Sequence, residues 1–271
     1  MKTQLEKSAR LVELHEGPKC FVIPNPWDAG SARLLEAIGF QALATTSAGF
    51  AFTHAKPDMA VTREEKMAHL REVCAAVSVP VSADLQNGFG DRPEDAAECI
   101  RLAAQAGAVG GSIEDSTGRP EDPIYDFGLA RERMKAAVEA ARSVGFRFML
   151  VGRAENYLWG RRDLADTIAR LQAYQEAGAD VLFAPGVTAL EDIQAITRSV
   201  DRPVNVIGAG LPYTLAQLEA AGVKRVSVGG ALSRLALGAI EKAGKEMLEG
   251  GSFGFASGIP STKHFNDLFR Q

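Results

Sequence analysis

The chain has 271 residues, 46% apolar and 24% charged, which are the proportions of an ordinary folded protein and exclude a disordered chain, a collagen and a coiled coil. The length suits one (β/α)8 barrel as well as two small domains. A net charge of −4 provides no basic field for nucleic acid or an anionic membrane, so an anionic substrate would be held by a few local cations or a metal.

In chain order, the opening MKTQLEKSARLVELHEG predicts an amphipathic helix with Leu5, Ala9 and Val12 on one face. One signal then recurs: an apolar helical run, a glycine and a short apolar strand, at Gly39, Gly107, Gly145, Gly178 and Gly222. A glycine just past a helix supplies the left-handed conformation that ends it. Thr62 with Glu65, Thr188 with Glu191 and Thr214 with Gln217 predict capping boxes, and Pro93 predicts a first helical position. The predicted strands are Phe21–Pro24, Ala42–Thr45, Val79–Asp84, Ala108–Ile113, Phe146–Gly152, Val181–Ala184, Val204–Ile207 and Arg225–Val228. They are short continuous apolar runs, as expected where both sheet faces are buried.

Eight strands, each followed by a helix, predict an α/β fold, a TIM barrel over about 19–249 of one domain (1–271). A doubly wound open sheet is the alternative. The Gly-rich segment 250–262 leads into a short terminal helix, so 250–271 forms a C-terminal arm. No stretch reaches the roughly 18 apolar residues of a membrane span. Cys20, Cys74 and Cys99 fit neither a zinc motif nor a disulfide framework, so a reducing, cytoplasmic location is expected. His15, His69 and His264 read as surface residues, and His54 is the histidine placed nearest the site.

Barrel function sits where strands end. The acids concentrate there on strands two to four: Asp58 in a long loop, Asp84 with Gln86, then Glu114 and Asp115. Asp84 and Glu114 end adjacent strands and can converge. Few hard oxygen ligands with open positions suit Mg2+, with Mn2+ a second choice. Arg153 ends the next strand and can clamp a carboxylate, or simply form an ion pair with Glu114. Asp28 is read equally as a helix cap, and Asp115 and Asp91 more readily as loop or cap residues than as ligands. Asn205 lies on strand seven. Together these point to a small anionic substrate whose reaction builds an enolate. No lysine ends a strand, which disfavours a Schiff-base aldolase.

The run NPWDAGSARLLEAIGFQALATTSAGF (25–50), ADLQNGFG (83–90), SIED (112–115) and GRAEN (152–156) resemble, in order, segments of the isocitrate lyase/phosphoenolpyruvate mutase superfamily. The resemblance covers about 20–235. It implies Asp84 as the direct Mg2+ ligand, Glu114 holding the metal through water, and Asp58 and Asp28 in its outer surroundings. It implies Ser47, Ala48 and Gly49 as a cradle for a keto-acid carboxylate, and Arg153 as a substrate ligand. It also implies a homo-oligomer, dimer or tetramer, with C-terminal helices exchanged between subunits.

Two departures bear on activity. Gln86 replaces the second aspartate of the family's ADxDxGYG segment and removes a negative charge from the metal set. The loop STGRPEDPIYDFG (116–128) lacks the cysteine that serves the family's lyases as proton donor; Tyr125 is its candidate replacement. The expected reaction is therefore a Mg2+-dependent C–C cleavage or decarboxylation of a small 2-oxo or 2-hydroxy di- or tricarboxylate such as oxaloacetate. The alternatives are a phosphonopyruvate C–P mutase or hydrolase, and a barrel that binds a keto acid without turning it over.

Overall fold

The computed structural model describes residues 2–270. Its elements alternate as α1 (Gln4–Glu16), β1 (Phe21–Val22), α2 (Ala29–Ile38), β2 (Leu43–Ala44), α3 (Ser47–Thr53), α4 (Arg63–Ala76), β3 (Val81–Asp84), α5 (Pro93–Gln105), β4 (Gly110–Glu114), α6 (Phe127–Ser143), β5 (Met149–Arg153), α7 (Leu164–Ala177), β6 (Val181–Phe183), α8 (Leu190–Ser199), β7 (Val204–Ile207), α9 (Leu215–Ala220), β8 (Arg225–Ser227), α10 (Ala231–Lys245) and α11 (Thr262–Phe269). All eight predicted strands are present, most of them shorter than predicted.

The strands are parallel and ordered in sequence around one sheet, and β1 pairs with β8. This order, with the first strand beside the last, curls the sheet into a TIM-type barrel whose remaining seam, β1–β2, has no strand ladder, and it is not the order of a doubly wound open sheet. The β1–β2 seam is held by the Ala44 N–H donating to Pro24 O at 3.0 Å and by Asn25 Nδ2 donating to Thr45 O at 3.1 Å.

Two apolar layers account for this closure. Inside the barrel, Ile23, Ala42, Ala44, Val109, Met149, Val151, Val181 and Phe183 pack together with Leu11 of α1, which plugs the end opposite the site. Outside it, a larger shell joins the strands to the helices through residues such as Leu70, Ile100, Met134, Phe148, Leu171 and Leu182. At the helix ends the local chemistry works as read. Gly39 and Gly178 take φ +111° and +106° and end α2 and α7, while Thr62 and Thr214 form full capping boxes. The expected box at Thr188 does not form; α8 starts one residue later, after Ala189, with no side-chain cap.

Two histidines expected at the surface are in the core. His15 places its edge against Phe21, and His69 stacks on Phe50 at 4.0 Å while its Nε2 meets Trp27 O at 2.9 Å. Burial pushes their pKa values down to about 4 and about 2, so both are neutral rings serving as packing. The three cysteines are free and buried. Helix α11 lies against α2 of its own chain.

Candidate active site

The strand ends open into a cavity of about 320 Å3 lined by Asn25, Thr45, Ser47, Ala48, Asp58, Asp84, Arg153, Asn205, Arg225 and Arg234, among others. At its mouth three carboxylates gather on one guanidinium. Arg153 Nη1 lies 3.2 Å from Glu114 Oε2 and 3.6 Å from Asp84 Oδ1, and its Nε donates to Glu155 Oε1 at 2.5 Å. The register explains the convergence: Asp84 pairs with Ser112 on β4, and Glu114 pairs with Arg153 on β5. The guanidinium also sits over the Phe183 ring, 5.2 Å from its centre.

Charge in this cluster is finely divided. Burial would raise the Asp84 pKa, but Arg153, Lys66 and the Ser47 bonds outweigh it and hold the carboxyl below its ordinary value. Glu114 and Glu155 go the other way, because burial and neighbouring acids raise them despite Arg153. Burial disfavours the Arg153 charge as well, yet Glu114, Glu155 and Asp84 keep the guanidinium firmly protonated.

Asp84 is also built in from behind. Its Oδ2 accepts the Ser47 N–H at 2.9 Å, and its own N–H donates to Thr45 Oγ1 at 3.0 Å. The same hydroxyl accepts from Lys66 Nζ at 3.0 Å. Lys66 is fully buried, which lowers its pKa to about 8.

The structure brings Asp84, Glu114 and Arg153 together, and Ser47, Ala48, Asp58 and Asn205 line the same cavity. It does not bring five other expected residues there. Asp28 is exposed and caps α2, accepting the Ser31 N–H at 2.7 Å, so its carboxylate is spent on the helix. Gln86 turns its amide toward Asp58 Oδ1 at 3.4 Å and does not line the cavity. Gly49 is packed away, since a Cβ there would lie 2.6 Å from Thr46 and 2.9 Å from Trp27, and its N–H is taken by Thr46 Oγ1. Tyr125 is buried under the loop, donating to Asp91 Oδ1 at 2.6 Å and accepting from Asn87 Nδ2 at 3.1 Å, with Arg133 stacked on its ring. Its pKa is pushed up to about 12, first by burial, so it is a poor proton donor where it stands. His54 is exposed and does not line the cavity.

Asp115 keeps the structural role read for it, more centrally than expected. It accepts Arg170 Nη1 at 3.0 Å, the Tyr174 hydroxyl at 2.6 Å and the Glu155 N–H at 2.8 Å. Asp115→Ala leaves the buried Arg170 with Asp166 as its one remaining acid and takes the partner from the buried Tyr174 hydroxyl and the Glu155 N–H, and we expect a loss of about 3–5 kcal/mol in denaturant unfolding; a loss below about 1 kcal/mol would contradict this role.

Sequence reading missed Glu155, Lys66, Arg225 and Arg234. Glu155 was visible in GRAEN as the acid two residues beyond Arg153, and Arg225 shares the inward face of β8 with Ser227 by simple alternation. Lys66 carries no such signal; it reads as a surface cation on a helix. The turn after β3 is also strained, with Gln86 and Phe89 at φ +52° and +62°. Non-glycine residues in this region are concentrated at functional sites.

A barrel with an acid–arginine cluster where its strands end has the layout of a barrel enzyme. The profile of the phosphoenolpyruvate phosphomutase family matches residues 11–248, and the chain belongs to that family, within the isocitrate lyase/phosphoenolpyruvate mutase superfamily. Among curated relatives, the 2-methylisocitrate lyase of Aeropyrum pernix is 30% identical over 89% of this chain and 80% of its own. The oxaloacetate decarboxylase of Bradyrhizobium sp. is 32% identical over 78% and 74%. A candidate lyase/mutase from Burkholderia cenocepacia J2315 has the same structure with TM-score 0.97 and 54% identity, covering 99% of this chain and 98% of that one. A phosphonopyruvate hydrolase solved with oxalate and Mg2+ shares the fold at TM-score 0.86 and 22% identity, over 98% and 95%.

Proposed function

We propose that the protein is a Mg2+-dependent carbon–carbon lyase that decarboxylates or cleaves a small 2-oxo dicarboxylate of the oxaloacetate type through an enolate. The observation that supports it most is the cluster itself: three carboxylates share one guanidinium, with Lys66 one hydroxyl away from Asp84. Such an excess is costly unless protons or a dication balance it. Among the described residues no three acids, histidines or cysteines are gathered closely enough to enclose an ion. That donor set fits Mg2+, which keeps several waters and takes one or two carboxylates. Asp84 would hold it directly, with Glu114 and Asp58 reaching it through water. When bound it would supply positive charge to the 2-oxo oxygen as the bond to the departing carboxylate breaks.

The chain's own groups do the rest. Ser47 and Ala48 border the substrate carboxylate, and Arg153 orients the oxo acid. Decarboxylation breaks its bond without a protein acid, which suits a loop whose tyrosine is tied down. The loop's cation, Arg119, is paired with Asp91 at 2.9 Å, which weighs against a phosphoryl-transfer reaction at this site. Incubation with oxaloacetate and Mg2+ is expected to release pyruvate, with no release when Mg2+ is chelated. No turnover of any 2-oxo dicarboxylate would contradict the proposal.

We also propose that the chain works as an oligomer through α10 and the C-terminal arm, and that α11, which lies against α2 of its own chain here, can pass to the same place on a neighbouring subunit. Leu235, Ile240, Leu248, Phe253 and Ile259 are each more than 60% exposed along this segment. Large apolar side chains left exposed together along one segment point to an interface. Sedimentation is expected to give a dimer or tetramer that Leu235→Asp/Ile240→Asp dissociates; a wild-type monomer would contradict it. No helix among the described residues is long and apolar enough to cross a membrane.

A further inference from the structure

The cavity also contains a cation that no acid answers. Arg225 opens β8 and is 5% exposed, yet its Nε and Nη1 have no hydrogen-bond partner. The other arginines drawn into the interior each have an answering acid or several carbonyls, although the Nε of Arg133 is also unpartnered. Arg153 and Arg170 face carboxylates, and Arg133 donates to the carbonyls of Gly90, Arg92 and Asn87. Strand alternation sends Val226 outward into the helix shell and turns Arg225 and Ser227 inward, where both line the cavity that Asp84 and Arg153 share. On the adjoining strand Asn205, paired in register with Arg225, donates Nδ2 to Ser227 Oγ at 3.1 Å and leaves its Oδ1 without a partner. Hydrogen bonding is thus incomplete on two neighbouring strands of one cavity wall.

Nothing beneath supplies the missing charge. Toward the plugged end lies His15, held neutral by burial and by Arg225, with Lys224 and an Asp180 already paired to Arg142 and Arg147 in its surroundings. Burial lowers the Arg225 pKa to about 10, with no acid contributing, so the guanidinium stays charged at neutral pH. A buried charge is paired in nearly every folded protein, and a cation facing a ligand cavity is most simply paired by the ligand.

We propose that Arg225, flanked by Ser227 and Asn205, binds the second anionic group of the substrate. The cavity then takes a dianion end to end, with its oxo-acid end at Asp84 and Arg153 and its distal carboxylate on Arg225. This rests on the reading of the mouth as an oxo-acid site and adds what that reading leaves open, the selection of dicarboxylates over pyruvate-like monoanions.

Calorimetry with Mg2+ present, using oxalate and 3,3-difluorooxaloacetate as probes, tests it. Oxalate fills only the mouth; the four-carbon dianion reaches Arg225. Arg225→Met keeps length and removes charge. It is expected to bind oxalate within about twofold of wild type and to lose about 30-fold or more toward the four-carbon dianion. Arg225→Lys is expected to recover part of that loss. An unchanged ratio in a folded Arg225→Met protein would overturn the proposal. Should Arg225→Met not fold, the ratio in Arg225→Lys and Ser227→Ala decides, and two unchanged ratios overturn it. Wild type that binds neither probe contradicts the mouth reading, whereas wild type that binds oxalate with a ratio insensitive to Arg225 contradicts only the role of Arg225.

Discussion

Asp84→Asn is expected to lower kcat/KM for oxaloacetate by about 10³-fold or more while leaving the chain folded. The amide oxygen can still accept the Ser47 N–H, so the β3 end keeps its local bond. What is lost is the carboxylate whose charge is best preserved in the cluster, held down by Arg153 and Lys66 against burial. Because the folded chain holds this carboxyl below its ordinary value, its charge favours the fold, and its loss should lower the melting temperature modestly at neutral pH. A loss of activity far larger than the loss of stability is the diagnostic pattern. A variant that keeps a tenth of wild-type activity would show that Asp84 is not where the charge is needed.

Arg153→Met is expected to cost both activity and stability, and the stability cost should depend on pH. Turnover should fall by about 10²–10³-fold, as when a single stabilising donor is removed. The variant leaves Glu114, Glu155 and Asp84 buried without their common counter-charge, a loss of about 3–5 kcal/mol at pH 8. Burial already holds Glu114 and Glu155 above the ordinary value of 4.5, and Arg153 is the counterweight. Without it their pKa values rise further. The folded variant then keeps protons that the unfolded chain gives up, so its stability falls as pH rises from about 4.5 through the folded pKa values. Denaturant unfolding should show a small penalty near pH 5 and a large one at pH 8. A penalty equal at both would contradict the pairing.

The barrel was legible because its punctuation is local. Gly39 and Gly178 need a left-handed backbone whatever surrounds them, and a threonine followed three residues later by Glu or Gln caps a helix by itself. Asp84, Glu114 and Arg153 were legible because each ends a strand, and strand ends converge by topology. What failed depends on which side of a turn a side chain takes. Asp28 had two uses for its carboxylate, and the helix N-terminus won. Tyr125 lies in a loop that folds back onto Asp91 and Asn87, a contact between distant segments that spacing does not reveal. Lys66 and His69 sit on a helix that reads as amphipathic and polar, yet Phe50 of α3 lies over both. Arg225 was hidden by the same logic: a cation at the start of a strand reads as the stable end of the barrel, although the cavity reaches down to it.

The central claim is that the barrel mouth holds a dication and an oxo-acid anion as one unit. Titrating oxalate into the wild-type protein with and without Mg2+ tests it most directly. One oxalate per chain is predicted, bound about 100-fold more tightly when Mg2+ is present. Equal affinity in the two titrations would contradict it.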